Sequence, residues 1–166
     1  MNDKRITVYA GSFDPITNGH LDLLDRALKI FDNIIIAVAE NPAKQPLFTL
    51  EERLDLIRAS LKNHQEPNRI RVDSFKGLLV DYVARCGAMA ILRGLRAVSD
   101  FEYEFQMALM NRKLSRTPET LYLMTGARWI YISSRIIKEV VQAGGRVTGL
   151  VPEAVEKKLR EKFEID

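Results

Sequence analysis

Residues 5–39 read RITVYAGSFDPITNGHLDLLDRALKIFDNIIIAVA, and their patterning decides the fold. Residues 5–10 and 33–39 are rich in β-branched and apolar side chains, while Leu21, Leu24, Leu28 and Phe31 between them recur at helical spacing on one face. Strand, helix and strand in that order make a βαβ unit. Downstream, Thr49 followed by Glu52 forms a capping box that opens a second helix with the stripe Leu50, Leu54, Ile57 and Leu61. Further strands are expected at 69–75, 88–93 and 120–125, with helices at 78–85, 100–114 and 134–143, the last stopped by Gly144 and Gly145. Pro152 suits the first turn of a C-terminal helix whose apolar face is Ala154, Val155, Leu159 and Phe163. Strands separated by helices imply a parallel sheet covered on both faces, and right-handed crossovers make it an α/β doubly wound sheet. Ligands of such sheets bind beyond the carboxyl ends of the strands, so chemistry is sought just after each strand.

The 166 residues are the length of one domain, expected to span 1–166 with the C-terminal helix as its end. A content of 46% hydrophobic and 28% charged residues, without repeats or low-complexity segments, is that of an ordinary globular chain. The polar opening through Arg5 and the short apolar run after it draw neither a signal peptide nor a spanning helix, so a cytoplasmic protein with no membrane attachment is expected. Cys86 is the sole cysteine, which excludes an intramolecular disulfide and a thiolate metal cluster. It sits in Ala84-Arg85-Cys86-Gly87, where a helix ends with no His near in sequence, and reads as structural. The formal charge of +3 is spread among acidic residues, so nucleic-acid binding is not implied.

The first strand exits into Gly11-Ser12-Phe13-Asp14-Pro15-Ile16-Thr17-Asn18-Gly19-His20 before the helix begins. Gly11 permits a tight exit and Gly19 a close backbone approach. His20 falls in the first helical turn, where free N–H groups and the helix dipole attract anions, and Ser12 adds a hydroxyl. A generic turn with corners at Asp14-Pro15 and Asn18-Gly19 would look much the same. The loop is neither a P-loop nor Gly-x-Gly-x-x-Gly, which disfavours ATPase and dehydrogenase chemistry. After the second strand, the proline-bracketed loop 41–48 carries one cation, Lys44, which on composition alone is solvated surface. The run Arg93-Gly94-Leu95-Arg96-Ala97-Val98-Ser99-Asp100-Phe101-Glu102-Tyr103-Glu104 sets two arginines astride a glycine. They can bracket a polyanion or pair with Asp100, Glu102 and Glu104. In Gly126-Ala127-Arg128-Trp129-Ile130-Tyr131-Ile132-Ser133-Ser134-Arg135 a serine is a natural N-cap, or two hydroxyls, helix amides and a cation converge on one anion. Trp129 either stacks near that anion or fills core.

Taken together, these segments resemble the nucleotidyl transferase superfamily, whose Rossmann-like fold carries His or Thr, any residue, Gly and His at the first turn. Thr17, Asn18, Gly19 and His20 fill those slots, in the Thr form of the phosphopantetheine adenylyltransferase family. The run 93–104 matches that family's second signature, and Ile132-Ser133-Ser134 resembles the superfamily's flexible second phosphate motif. Ser12 stands where many members have Thr and Arg135 where some have a third Ser; both keep a donor.

The resemblance implies transfer of the adenylyl group of ATP to 4′-phosphopantetheine, giving dephospho-coenzyme A and pyrophosphate. By the same resemblance His20 is the transition-state stabiliser on the α-phosphate with Ser12 beside it, and Lys44 and Arg93 take the acceptor phosphate. ATP falls to Ser12, Phe13, His20, Gly94, Leu95, Arg96, Glu104 and the segment Trp129, Ile130, Tyr131, Ile132, Ser133, Ser134 and Arg135. Leu79 is expected to touch the pantetheine arm. The family also implies a homohexamer and coenzyme A as feedback inhibitor. Mg2+ should arrive on the triphosphate, because no carboxylate cluster with ligand spacing is present. A phosphate monoester is already an anionic nucleophile, so the site needs positioning and positive potential rather than an activated Ser or Cys. Rivals are a nucleotidyl transferase that uses nicotinamide mononucleotide or a phosphorylated alcohol, and a noncatalytic nucleotide-binding domain. Replacing His20 by Ala is expected to lower turnover with little change in thermal stability.

Overall fold

A computed structural model describes residues 4–40 and 45–165. Five strands, β1 (Ile6–Gly11), β2 (Asn33–Ala39), β3 (Ile70–Phe75), β4 (Ala90–Leu95) and β5 (Glu119–Met124), form one parallel sheet in the order β3-β2-β1-β4-β5. The helices are α1 (Asn18–Ala27), α2 (Leu50–Leu61), α3 (Leu79–Arg85), α4 (Val98–Leu114), α5 (Ser134–Gln142) and α6 (Glu153–Lys162). Side chains of the inner strands alternate between two cores. Tyr9, Ile34, Ile36, Val38 and Leu92 pack with α1, α2, α5 and α6, whereas Val8, Ala10, Ile35, Ala37 and Ile91 pack with Val80, Tyr82 and Val83 of α3. This period of two, with apolar residues on both faces, is what a central parallel strand requires.

Most element limits fall within a residue or two of expectation, and the shifts have local causes. Strand 88–93 becomes Ala90–Leu95. At its start, Gly87 adopts φ +62° and the Gly87 and Ala88 amides bond back to Ala84 and Val83, so residue 88 still belongs to the close of α3. At its end, pairing of Gly94 with Leu123 and Leu95 with Met124 carries the strand past Arg93. α1 stops at Ala27, and Leu28 and Phe31 are buried from the turn that follows; Leu23 joins Leu24 in the core while Leu21 is only partly covered. Ala154 of α6 faces solvent, leaving Val155 and Leu159 as the buried pair.

Two features of this arrangement place the site. β1 passes through α1 to β2 on one side, while β4 lies on its other side, so the loops after β1 and β4 diverge and leave a crevice at the carboxyl ends. α4 bounds that crevice and is unusual in its burial. Its buried residues include Glu104 and Asn111, whereas Phe101, Tyr103, Phe105, Met107, Leu109, Met110 and Leu114 are all exposed.

Candidate active site

After β1 the chain doubles back at Phe13, whose φ of +45° lies in the left-handed region and whose ring is buried edge-on against Tyr9 and His20. A Cβ on Gly11 would sit 3.0 Å from that ring, so any larger residue would press the ring from its place. Thr17 then caps α1. Its Oγ1 accepts from the His20 amide at 3.4 Å, and its own amide donates to His20 Nδ1 at 3.0 Å. This is a capping box with His in the position usually held by Glu or Gln.

The cap fixes the chemistry of the imidazole. A backbone amide only donates, so Nδ1 must carry the lone pair and the single proton of the neutral ring lies on Nε2. Burial, with Arg96 and then Arg93 nearby, lowers the His20 pKa to about 4. His20 is therefore neutral at physiological pH, and its Nε2–H is the donor left for the cleft.

At the β4 exit Arg93 forks onto Glu104, with Nε to Oε2 at 2.9 Å and Nη2 to Oε1, and Nη1 donates to the Ala10 carbonyl at 2.5 Å. One turn earlier on α4, Asp100 takes Arg96 Nε at 3.1 Å and Nη2 at 3.2 Å, while Arg96 Nη1 reaches the Ile132 carbonyl at 3.1 Å. The ion-pair network open on sequence is thus realised through Asp100 and Glu104, whereas Glu102 is exposed. Pairing does not exhaust the arginines, since a guanidinium has five N–H donors and three are used on each. Both still line the cleft. A Cβ on Gly94 would lie 2.6 Å from Leu23 Cδ1, so glycine lets β4 and α1 close beside the site.

After β5 a 3-10 turn, Ala127–Trp129, leads into α5, capped by Ser133 Oγ, which accepts from the Ile136 amide at 3.1 Å. Ser134 Oγ donates to the Pro15 carbonyl at 2.7 Å, joining α5 to the loop after β1. The three strand exits enclose a cleft of about 430 Å³. Of the residues expected there, Ser12, Phe13, His20, Arg93, Gly94, Arg96, Glu104, Ile132, Ser133, Ser134 and Arg135 line it together.

Leu79, Leu95, Trp129, Ile130 and Tyr131 do not line it. Lys44 lies outside the described residues. Leu79 begins α3 on the opposite face of the sheet and packs against the second core. Leu95 ends β4, and the register that puts Gly94 in the cleft turns its neighbour away. Trp129 is partly buried against the edge of the main core, with Arg128 stacked 4.6 Å over its ring. Ile130 and Tyr131 project to solvent from the turn. Tyr9, Leu23 and Thr125 also line the cleft but were not anticipated; they sit within regular strand or helix patterns, where sequence marks only burial.

Chemically, the cleft offers a neutral imidazole donor, arginine N–H groups, serine hydroxyls and helix amides. Its two carboxylates, Asp100 and Glu104, are held by arginines. Such a site binds and orients anions and meets developing negative charge; among the described residues that line it, no free base lies beside a hydroxyl for covalent catalysis.

The sheet order and anion-suited strand exits are those of a doubly wound nucleotide-binding fold, and the cytidylyltransferase-like family profile, which matches residues 8–140, makes the chain a nucleotidyl transferase. Among individual relatives, the phosphopantetheine adenylyltransferase of Carboxydothermus hydrogenoformans is 59% identical over 160 residues, 96% of this chain and 97% of that protein. That of Desulfosudis oleivorans is 58% identical over 159 residues, 96% of this chain and 93% of its own length. The chain belongs to the phosphopantetheine adenylyltransferase family. Solved structures agree on the fold. A protein from Vibrio parahaemolyticus assigned as a nicotinate-nucleotide adenylyltransferase superposes with TM-score 0.70 at 14% identity, covering 94% of this chain and 98% of its own. A bifunctional NMN adenylyltransferase/ADP ribose pyrophosphatase from Francisella tularensis, complexed with AMP and a manganese ion, gives 0.68 at 13%, covering 97% of this chain and 51% of its own.

Proposed function

We infer that this chain joins the adenylyl group of ATP to 4′-phosphopantetheine, releasing pyrophosphate and giving dephospho-coenzyme A, a step of coenzyme A synthesis. Family membership carries the reaction, and the tautomer locked at His20 is the observation that carries its mechanism. An oxygen of the acceptor phosphate attacks the α-phosphorus, and the bond from that phosphorus to the bridging α–β oxygen breaks. The electron pair leaves with pyrophosphate. No proton need pass to or from the protein, because nucleophile and leaving group are both phosphate oxygens. His20 Nε2–H donates to a non-bridging α-phosphate oxygen as negative charge gathers there. Arg96, Gly94, Ser133, Ser134 and Arg135 hold ATP, Ser12 lies beside the α-phosphate, and Arg93 with Lys44 takes the acceptor phosphate. Glu104 serves by fixing Arg93.

Magnesium enters with ATP as part of the substrate. The carboxylates of the cleft are already committed to arginines, and no cluster of three metal-binding side chains occurs among the described residues. The exposed apolar residues of α4 support assembly, for which a homohexamer is our proposal. Coenzyme A shares the adenylate and pantetheine parts of the product and would compete for the cleft as a feedback inhibitor. No described helix is long and apolar enough to cross a membrane; we place the enzyme in the cytoplasm with the other steps of cofactor synthesis.

Pyrophosphate release measured with 4′-phosphopantetheine, nicotinamide mononucleotide and a phosphorylated alcohol tests this reading. Turnover confined to the first is expected. Equal turnover with nicotinamide mononucleotide would overturn it, and none with any acceptor would favour a noncatalytic nucleotide-binding domain.

A further inference from the structure

The loop after β1 does more than turn the chain. Asp14, its side chain only 8% exposed, accepts three hydrogen bonds: from the amides of Leu47 at 3.0 Å and Phe48 at 2.9 Å, and from Lys138 Nζ at 2.6 Å. Leu47 and Phe48 lead into α2, and Phe48 is fully buried. Lys138 lies on α5, one turn beyond Ser134, and Ser134 is tied to the carbonyl of the very next residue, Pro15. One carboxylate therefore joins the helix that presents Ser133, Ser134 and Arg135 to the cleft and the segment that follows Lys44 by three residues in sequence.

A buried carboxylate is stable only when its charge and lone pairs are satisfied, and here three donors from two elements do so. Removing the charge leaves a lysine without its partner. Done as Asp14→Asn, it also replaces one acceptor oxygen with an amide NH2 that faces donors. Either way, the two segments lose their common reference point.

We propose that Asp14 is a positioning residue that, through Lys138 and the amides of Leu47 and Phe48, holds the nucleotide-side helix α5 and the acceptor-side segment in register with each other. This rests on the reading that Lys44 serves the acceptor phosphate. Misalignment of two reactants by a fraction of an ångström lowers rate far more than it lowers the affinity of either one. Asp14 touches neither substrate in this scheme and acts through the segments it joins.

The test compares Asp14→Asn, Lys138→Met and Lys44→Ala in the full chain, measuring kcat, KM for each substrate, ATP affinity by direct titration and melting temperature. Asp14→Asn is expected to raise KM for 4′-phosphopantetheine and lower kcat so that kcat/KM falls roughly 10- to 100-fold, with ATP affinity within about twofold of the parent. Lys138→Met, which spares the amide bonds, should shift the same constants in the same direction by less, and Lys138→Arg should restore them. A lower melting temperature with unchanged kinetic constants in Asp14→Asn would overturn the proposal. So would parent-like constants in Lys138→Met if Asp14→Asn fails to fold. Lys44→Ala separates the underlying reading: if it leaves the acceptor KM unchanged, the role given to Lys44 fails, whereas a raised KM there beside a parent-like Asp14→Asn sinks only the coupling.

Discussion

At the scale of the residue, His20 does two things at once, and sequence showed only one. Its place at a helix start after Gly19 was legible, but the reciprocal bond with Thr17 was not, because a capping box is recognised by Glu or Gln at that position. The consequence revises the effect of truncation. Because Nδ1 satisfies the Thr17 amide, His20→Ala should cost about 1 kcal/mol of stability from the lost cap, besides lowering turnover ~10²–10³-fold through the lost Nε2 donor. Calorimetry beside steady-state rates checks both, and a variant that melts lower yet turns over normally would confine His20 to the cap. The lowered pKa adds a pH effect whose sign is fixed. Between pH 6.5 and about 4 the unfolded chain binds a proton at this residue that the folded chain refuses, so stability falls as pH falls through that window. The loss attributable to His20 reaches at most ~3 kcal/mol. Denaturant titrations of the parent and His20→Gln should agree near neutral pH and diverge as pH drops through that range, the parent losing the stability that Gln, which keeps the cap and cannot titrate, retains.

Among the elements, the strand exits were readable because glycine, serine and arginine cluster there, and the βαβ rhythm told which ends of the strands share a side. What sequence could not give was orientation. Trp129, Ile130 and Tyr131 lie in and just after a 3-10 turn, too short to show a periodicity, so nothing in their order reveals that the turn points them away from the cleft while Ile132 re-enters the core. Leu79 was carried by resemblance alone, and its helix covers the other face of the sheet. Gly94 illustrates the opposite case, a residue given to ATP by resemblance whose packing role emerges only in three dimensions. Gly94→Ala would bring a methyl group to 2.6 Å from Leu23 Cδ1, so that this buried side chain must turn out of its packing toward the cleft. A destabilisation of ~1–3 kcal/mol is expected, seen as a lower denaturation midpoint at unchanged slope. A neutral result would mean that α1 shifts freely over β4.

Across the whole molecule, α4 inverts the usual rule of burial, with carboxylate and amide inside and aromatic and thioether side chains outside. Phe101 and Phe105 stack with ring centres 5.7 Å apart on the outer surface, and Leu121 and Met124 of the edge strand β5 are exposed as well. Only the fold shows that the inward positions of this stretch are taken by Glu104 and Asn111. Phe105→Glu should place charge in the middle of that surface and reduce the mass measured by light scattering from an assembly toward a single chain, with far-UV circular dichroism retained. An unchanged mass would move the interface elsewhere.

The same helix carries Asp100 and Glu104 on its inner side, clasping the two arginines of the cleft. In an assembly seated on its outer side, α4 is the wall shared by a ligand and a neighbouring subunit. If a polyanion that draws Arg93 or Arg96 from its carboxylate shifts α4, it alters how tightly subunits adhere, and adhesion alters the grip on the polyanion by an equal free energy. Nucleotide affinity would become a function of protein concentration, stronger or weaker on dilution according to which arrangement of α4 the neighbour prefers.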